Sequence, residues 1–334
     1  MTDVAALAGV SHQTVSRVLN NHPNVAERTR LRVLAAITEL GYRPNRAAKA
    51  LVTGRSQTIG VVAQSSTLFG PASLLAAFTV AAGEAGFAVS VASVRDLDRA
   101  SFREAVERHL DQRVAGVVVI APVDSASAAV ETVPHDVPLV LVDGDPSLPR
   151  PHVTVDQAVG ARLATQHLLD SGHSTVWHVC GPQEWYDSRG RIRGWREALI
   201  AAGAEVPPLV QADWSVASGY RAGLVLARMP EVTAVVAAHD HLALGMLRAL
   251  HERGRAVPDD VSVVGFDDVP ESAYFIPPLT TVRPDFDAVA RTSLRLVLER
   301  LGPEPDGAEH VTIPPTLVVR RSVRRYEPLP EAGA

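Results

Sequence analysis

Asp3-Val4-Ala5-Ala6-Leu7-Ala8-Gly9-Val10-Ser11-His12-Gln13-Thr14-Val15-Ser16-Arg17-Val18-Leu19-Asn20 reads as a helix, a glycine turn and a second helix. Val4, Ala5 and Ala8 give the first helix an apolar face. Gly9 supplies the turn because, lacking a Cβ, it tolerates positive φ. Ser11 can cap the second helix by accepting a backbone N–H. Val15, Val18 and Leu19 fall on one face of that helix. His12, Gln13, Ser16 and Arg17 fall on the other, with Thr14 available beside them. This is the layout of a helix-turn-helix whose polar face enters a DNA major groove. A helix pair packed on a domain can show the same pattern, but it does not need hydrogen-bonding side chains on its free face.

The next residues narrow the choice. A third helix is expected over 26–40, with Leu31, Leu34 and Ile37 at helical spacing. Gly41 ends it, and Pro44 bars its continuation. Asn45 is placed to cap a short helix from Arg46 to about Leu51 that includes Ala48 and Lys49. So short a helix is unstable alone, because nucleation is costly. The segment is therefore expected to order only on a partner.

These motifs, with IGVV at 59–62, ELGYRPNRAAKAL at 39–51 and VSVVGFDDVPESAYFIPPLTTVRPDF at 261–286, carry a resemblance. The chain resembles the lac-repressor/galactose-repressor family of bacterial transcription regulators, from Asp3 to about Arg321. The resemblance implies a reading helix in the major groove, using His12, Gln13, Thr14, Ser16 and Arg17. It implies a hinge formed by Asn45, Arg46, Ala48, Lys49 and Leu51 that folds on operator DNA. There Leu51 wedges into the minor groove and kinks it. One departure is visible. The family has several residues before the position of Asp3, including a Thr that caps the first helix. Either the start is misassigned, or that helix is poorly capped and contacts from the arm are lost.

Composition agrees. A chain of 334 residues with 46% apolar content suits a globular protein of two or three domains. Residues 1–55 hold eight Lys/Arg and three acids, whereas the whole chain carries −5. A basic head on an acidic body fits nucleic-acid binding by the head. The single Cys180 lies in an apolar run and is expected to be a buried strand residue. No signal peptide and no long apolar span is present, so the expected location is the cytoplasm, with no membrane partner.

From about Thr58, short apolar runs alternate with amphipathic stretches. Strands are expected at 59–63, 87–92, 116–120, 139–142, 176–180, 234–237 and 261–266. Helices are expected at 72–85, 99–112, 157–171, 192–202 and 242–253. Such alternation implies α/β parallel sheets with helices on both faces. The expected fold class is a three-helix helix-turn-helix head and hinge helix, followed by a periplasmic-binding-protein-like core of two doubly wound parallel-sheet subdomains. The periplasmic-binding-protein-like core of two such subdomains is what the resemblance implies. The domains are then 1–44 for the head, 45–57 for the hinge, 58–325 for the core and 326–334 for a disordered tail. The first subdomain takes 58–155 and 287–313, and the second 156–282 and 314–325.

Ligands in such sheets bind beyond the carboxyl ends of strands. Asp143, Arg189, Arg191, His239, Asp240, Asp267 and Asp268 follow expected strands, and Trp214 lies in a loop. Carboxylates, a guanidinium fork and an indole make a sugar site. Helix capping and core packing are the plain alternatives for each residue taken singly. The resemblance places Asp143, Arg191, Trp214 and Asp267 at positions that hold the sugar in the lactose-responsive member. His239 stands where that member has Asn. Arg95 or Asp96 is a further candidate on the first subdomain's side. His239-Asp240-His241 is not read as a metal site, because residues i and i+2 do not share a helix face. No nucleophile elbow is present.

The function expected is a sequence-specific repressor of carbohydrate-utilisation genes, not an enzyme. It acts as a homodimer on double-stranded operator DNA and is released by a small-molecule sugar effector, with no cofactor or metal. The tail after Arg320 has no heptad, which favours a dimer over a tetramer. The alternatives are a corepressor-dependent, purine-type regulator or a partner-protein-dependent one. A sugar-binding module without DNA binding is argued against by residues 1–53.

Overall fold

Gly9 adopts φ 60°, the left-handed conformation the opening turn requires, and closes the first helix. The computed structural model describes residues 1–19, 22–42, 56–64, 68–95, 98–120, 123–124, 126, 130–131, 133–134, 137–145, 147–302 and 309–325. By contact density the chain divides into two compact units, Met1–Gln57 and Thr58–Ala334.

The first unit contains α1 (Thr2–Ala8), α2 (His12–Leu19) and α3 (Glu27–Glu39). No side chain caps the start of α1. The Thr14 amide donates to Ser11 Oγ at 3.2 Å, so Ser11 caps α2 as its residue type suggests. Val4, Ala5, Ala8, Val15, Val18, Val33 and Ala36 form the core, with Leu19 and Ile37 packed against it. The expected inner face of α3 needs correction. Leu31 and Leu34 are exposed, and Val33, Ala36 and Ile37 face inward. All five are compatible with a 3.6-residue period, and the position of α1 and α2 chooses between the two stripes. The Arg32 guanidinium donates to the carbonyls of Ala8 and Gly9, tying α3 to the end of α1. The hinge residues Asn45, Arg46, Ala48, Lys49 and Leu51 lie outside the described residues, as do Asp96 and 326–334.

The second unit holds two six-stranded sheets. The first is built from β1 (Thr58–Gln64), β2 (Ala88–Val94), β3 (Gly116–Ile120), β4 (Leu139–Val142), β5 (His152–Val155) and β11 (His310–Ile313), in the order β11-β5-β4-β3-β1-β2. All its pairings are parallel. The second is built from β6 (Trp177–Cys180), β7 (Val210–Gln211), β8 (Ala234–Ala237), β9 (Ser262–Phe266), β10 (Thr280–Arg283) and β12 (Thr316–Val318), in the order β12-β10-β9-β8-β6-β7. Only its β10–β12 pair is antiparallel. Near-continuous Val, Ile, Leu and Ala runs suit strands covered on both faces.

In the first half α4 (Phe69–Glu84) and α10 (Phe286–Glu299) share one core with the sheet, and α5 (Arg99–Asp111) fills the other face. In the second, α8 (Val216–Leu226) and α9 (Asp240–Glu252) cover one face, and α6 (Gln157–Asp170) and α7 (Tyr186–Ala201) the other. Helices α6 and α7 approach closely, because a β-carbon on Gly194 would meet the Ala158 carbonyl. Cys180 is buried at the end of β6. Each sheet reverses its strand order beside its first strand, between β1 and β3 and between β6 and β8. Crevices for ligands open at such reversals, outside the strands' carboxyl ends. Among the described residues no helix is long and apolar enough to cross a membrane.

Candidate functional site

Helix α2 presents His12, Gln13 and Arg17 to solvent, with Thr14 and Ser16 half-buried beside them. Ser11 Oγ and Thr14 Oγ1 lie 2.9 Å apart, so Thr14 is partly occupied by the cap. Arg30 donates to the His22 carbonyl at 3.1 Å, and Arg32 serves α1, so not every cation of the head is free for a phosphate.

The second unit contains a cleft of about 630 Å³, open mouth included, between the carboxyl ends of its two sheets. Leu68, Phe69, Pro71, Leu74, Ile120 and Phe286 form an apolar wall. Asp143, Gln157, Asp187, Arg191, Trp214, His239 and Asp267 supply the polar groups. The five residues singled out from sequence therefore line one space. Asp143 follows β4, and Asp267 follows β9.

Both aspartates are held at positive φ, 52° for Asp143 and 97° for Asp267. That backbone is uncommon outside glycine, and such strain persists where surrounding structure over-determines it. Asp143 Oδ1 accepts from Thr154 Oγ1 at 2.8 Å and from the Val155 amide at 3.1 Å. Burial nevertheless pushes the Asp143 carboxyl above its ordinary range.

Arg191 is 5% exposed on α7. Its Nε donates to Gln157 Oε1 at 2.9 Å, and its Nη1 to the Ala238 carbonyl. Nη2 reaches Asp267 Oδ1 at 3.4 Å, and the guanidinium lies 3.8 Å over the Phe266 ring. It is a buried hub rather than a surface helix residue. Gln157 and Asp187 had not been singled out from sequence. The stretch GPQEWYDSRGR at 181–191 carries the signal, a Trp and two acids between a strand and an Arg pair. Burial first, then Asp143 and Asp267, drive the Asp187 carboxyl up to about 8 against the pull of Arg191.

His239 behaves differently from a ligand-facing amide. Its Nδ1 accepts from the amides of His241 (2.9 Å) and Leu242 (3.3 Å), capping α9. Its Nε2 must then carry the proton and donate to the Trp214 carbonyl at 3.0 Å. Both nitrogens are spent, and burial lowers its pKa to about 4, so the ring is neutral. It offers the cleft a flat ring, stacked on Trp214 at 5.3 Å and 24°. Trp185 meets Trp214 edge-on at 5.4 Å. A β-carbon on Gly181 would overlap the Trp214 ring, so glycine at that position makes room for the indole. Trp214 Nε1–H is buried without a partner.

Three neighbouring residues do other work. Arg189 holds Asp124 bidentately at 2.7 and 2.8 Å, joining the two halves with the Val123–Trp185 bridge. Asp240 is buried, accepting from Thr281 Oγ1 and the Val269 amide. Asp268 pairs with Arg283 and Arg320, both at 2.6 Å. Arg95 is exposed and outside the cleft. No group of acids, histidines and cysteines suited to a metal occurs among the described residues.

Two family models match the chain. One, bacterial regulatory proteins of the lacI family, covers residues 1–45. The other, a periplasmic binding protein-like domain, covers residues 165–323. The lactose operon repressor of Escherichia coli (strain K12) is 37% identical over 301 residues, 89% of this chain and 83% of that protein. The lac repressor dimer bound to operator and the anti-inducer ONPF superposes with a TM-score of 0.86 at 35% identity, covering 96% of this chain and 98% of that one. A complex of the transcriptional regulator CelR with cellobiose gives a TM-score of 0.72 at 34% identity, again covering 96% and 98%.

Proposed function

The chain belongs to the lacI family of bacterial regulatory proteins, DNA-binding transcriptional regulators with a ligand-binding core, and from that premise we propose that it is a repressor released from its operator by a sugar. The observation that carries this reading is the cleft. An apolar wall faces carboxylates, a guanidinium fork and an indole, which suits a ring with one C–H face and a rim of hydroxyls. The lac repressor and CelR structures, with ONPF and cellobiose, support the same class of ligand.

In this reading residues 1–44 read DNA, 45–57 form the hinge and 58–325 bind the effector. A homodimer presents two α2 helices to a pseudo-palindromic operator. Sugar in the cleft draws the two halves together over the Arg189–Asp124 contact. That motion changes the spacing of the two hinges, which then release DNA. The sugar can shift this equilibrium only by its differential affinity for the two states. Arg191, Asp143, Asp267 and Trp214 contact the ligand, and His239 positions Trp214. The protein performs no catalysis in this account and stays in the cytoplasm.

A thermal-shift screen of mono- and disaccharides, with purines alongside, tests the proposal. A sugar that raises the melting temperature and releases operator supports it. Stabilisation by a purine alone, with tighter operator binding, points to a corepressor instead.

A further inference from the structure

The charges in the cleft do not balance for an uncharged ring. Among the described residues Asp143, Asp187 and Asp267 line it against one permanent cation, Arg191. Arg191 is already engaged by Asp267, Gln157 and the Ala238 carbonyl. His239 adds no charge, because its two nitrogens are taken by the α9 amides and the Trp214 carbonyl. His241 is the other titratable side chain on the lining. Asp143 Oδ1 accepts from Thr154 and Val155, while Oδ2 has no hydrogen bond among the described residues. Among the described residues the Asp187 carboxylate has no hydrogen-bond or ion-pair partner, whereas Asp143 and Asp267 are both partnered. Carboxylates clustered in a part-buried cleft favour taking up protons or a cation. Trp214 Nε1–H, buried and without a partner among the described residues, is a donor suited to a ring hydroxyl.

Resting on the sugar reading above, we propose that the effector is an amino sugar whose ammonium group is held by Asp187, with Asp143 beside it. The ammonium supplies the missing positive charge, and its N–H donors suit carboxylates that accept only. The ring then packs against Trp214, whose Nε1–H donates to a hydroxyl. An ammonium beside Asp187 lowers its raised pKa, so Asp187 gives up its proton when the ligand binds.

The test uses the full-length protein and its intrinsic tryptophan fluorescence. It is titrated with glucosamine, galactosamine and chitosan disaccharide, and with the matching neutral sugars glucose, galactose, cellobiose and N-acetylglucosamine. The expected result is that an amine binds roughly tenfold or more tightly than its hydroxyl or acetamide counterpart, the scale of one charge-assisted contact. The preference should disappear in Asp187→Asn and persist in Tyr186→Phe, a change at the adjacent position of α7. Binding should also release a proton, seen as a buffer-dependent heat. Equal or tighter binding of a neutral sugar overturns the amino-sugar proposal while leaving the sugar reading standing. Binding of no sugar, charged or neutral, overturns both. A preference that survives Asp187→Asn removes Asp187 as the amine's partner.

Discussion

Replacing Arg191 with Met removes the charge while keeping much of the side-chain volume, so it isolates the guanidinium's electrostatic role. In the folded protein that group satisfies Gln157 Oε1 and the Ala238 carbonyl, faces Asp267 at 3.4 Å and covers Phe266 at 3.8 Å. The thioether restores the packing on Phe266 but none of the polar contacts. Three cleft carboxylates then lose the one permanent counter-charge among the described lining residues. Removing one partner of such a buried set costs about 3–5 kcal/mol. At roughly 2 °C per kcal/mol for a unit of this size, the melting temperature should fall by roughly 6–10 °C. The assay is thermal unfolding followed by tryptophan fluorescence, which reports this unit alone, since Trp177, Trp185, Trp195 and Trp214 all lie within it. The loss should grow as pH rises through about 8, where Asp187 ionises beside Arg191 in the parent protein but stays protonated without it. Below the lowered melting point the variant should bind operator yet ignore sugar. A fall of under about 2 °C would refute the view of Arg191 as a buried hub and return it to the role of a simple ligand contact.

Stability should peak near pH 6.5. His152, His173, His178 and His239 are held neutral with values of about 4 against 6.5, so their contribution is present above 6.5 and lost as pH falls towards 4. Asp187 and Asp240 are raised to about 8 from 3.8, so their contribution is present at low pH and lost as pH rises towards 8. Melting temperatures across pH 4–9 check this, and a steady rise up to pH 9 would contradict it. Gly181→Ala should push the Trp214 indole out of place, shifting the fluorescence spectrum and weakening effector binding at least tenfold in a titration, with operator affinity unchanged. Leu51→Ala should weaken operator binding by a few kcal/mol at most and random-sequence binding far less, because a wedge and its bend are lost. Equal losses on both DNAs, measured by anisotropy, would make Leu51 merely structural.

The helix-turn-helix was legible because its requirements are local. Gly9, the Ser11 cap and the Val15/Val18 stripe each follow from a residue's own conformational preference. The inner face of α3 was not, since Leu31 and Leu34 are as apolar as Val33 and lie at compatible spacing. Only packing against two other helices decides which stripe turns inward. The central strands of both sheets announce themselves as unbroken apolar runs. His152–Val155, Thr280–Arg283, His310–Ile313 and Thr316–Val318 do not, because they lie nearer the sheet edges and mix Thr, His and Arg with Val. In the cleft, acids that follow strands were readable, whereas Asp187 and Gln157 reach it from the starts of helices. His239 was readable as a residue of the cleft but not as a cap, because the use of its two nitrogens depends on where the Trp214 carbonyl falls.

The most direct test of the account joins its two ends. The full-length protein is bound to an operator fragment selected from random-sequence DNA, and anisotropy is followed as the stabilising sugar is added. Sequence-specific binding should fall steeply with salt and be released by the sugar, with release absent in Arg191→Met. Operator affinity that stays constant at saturating sugar, in a protein whose melting temperature shows the sugar is bound, would contradict it.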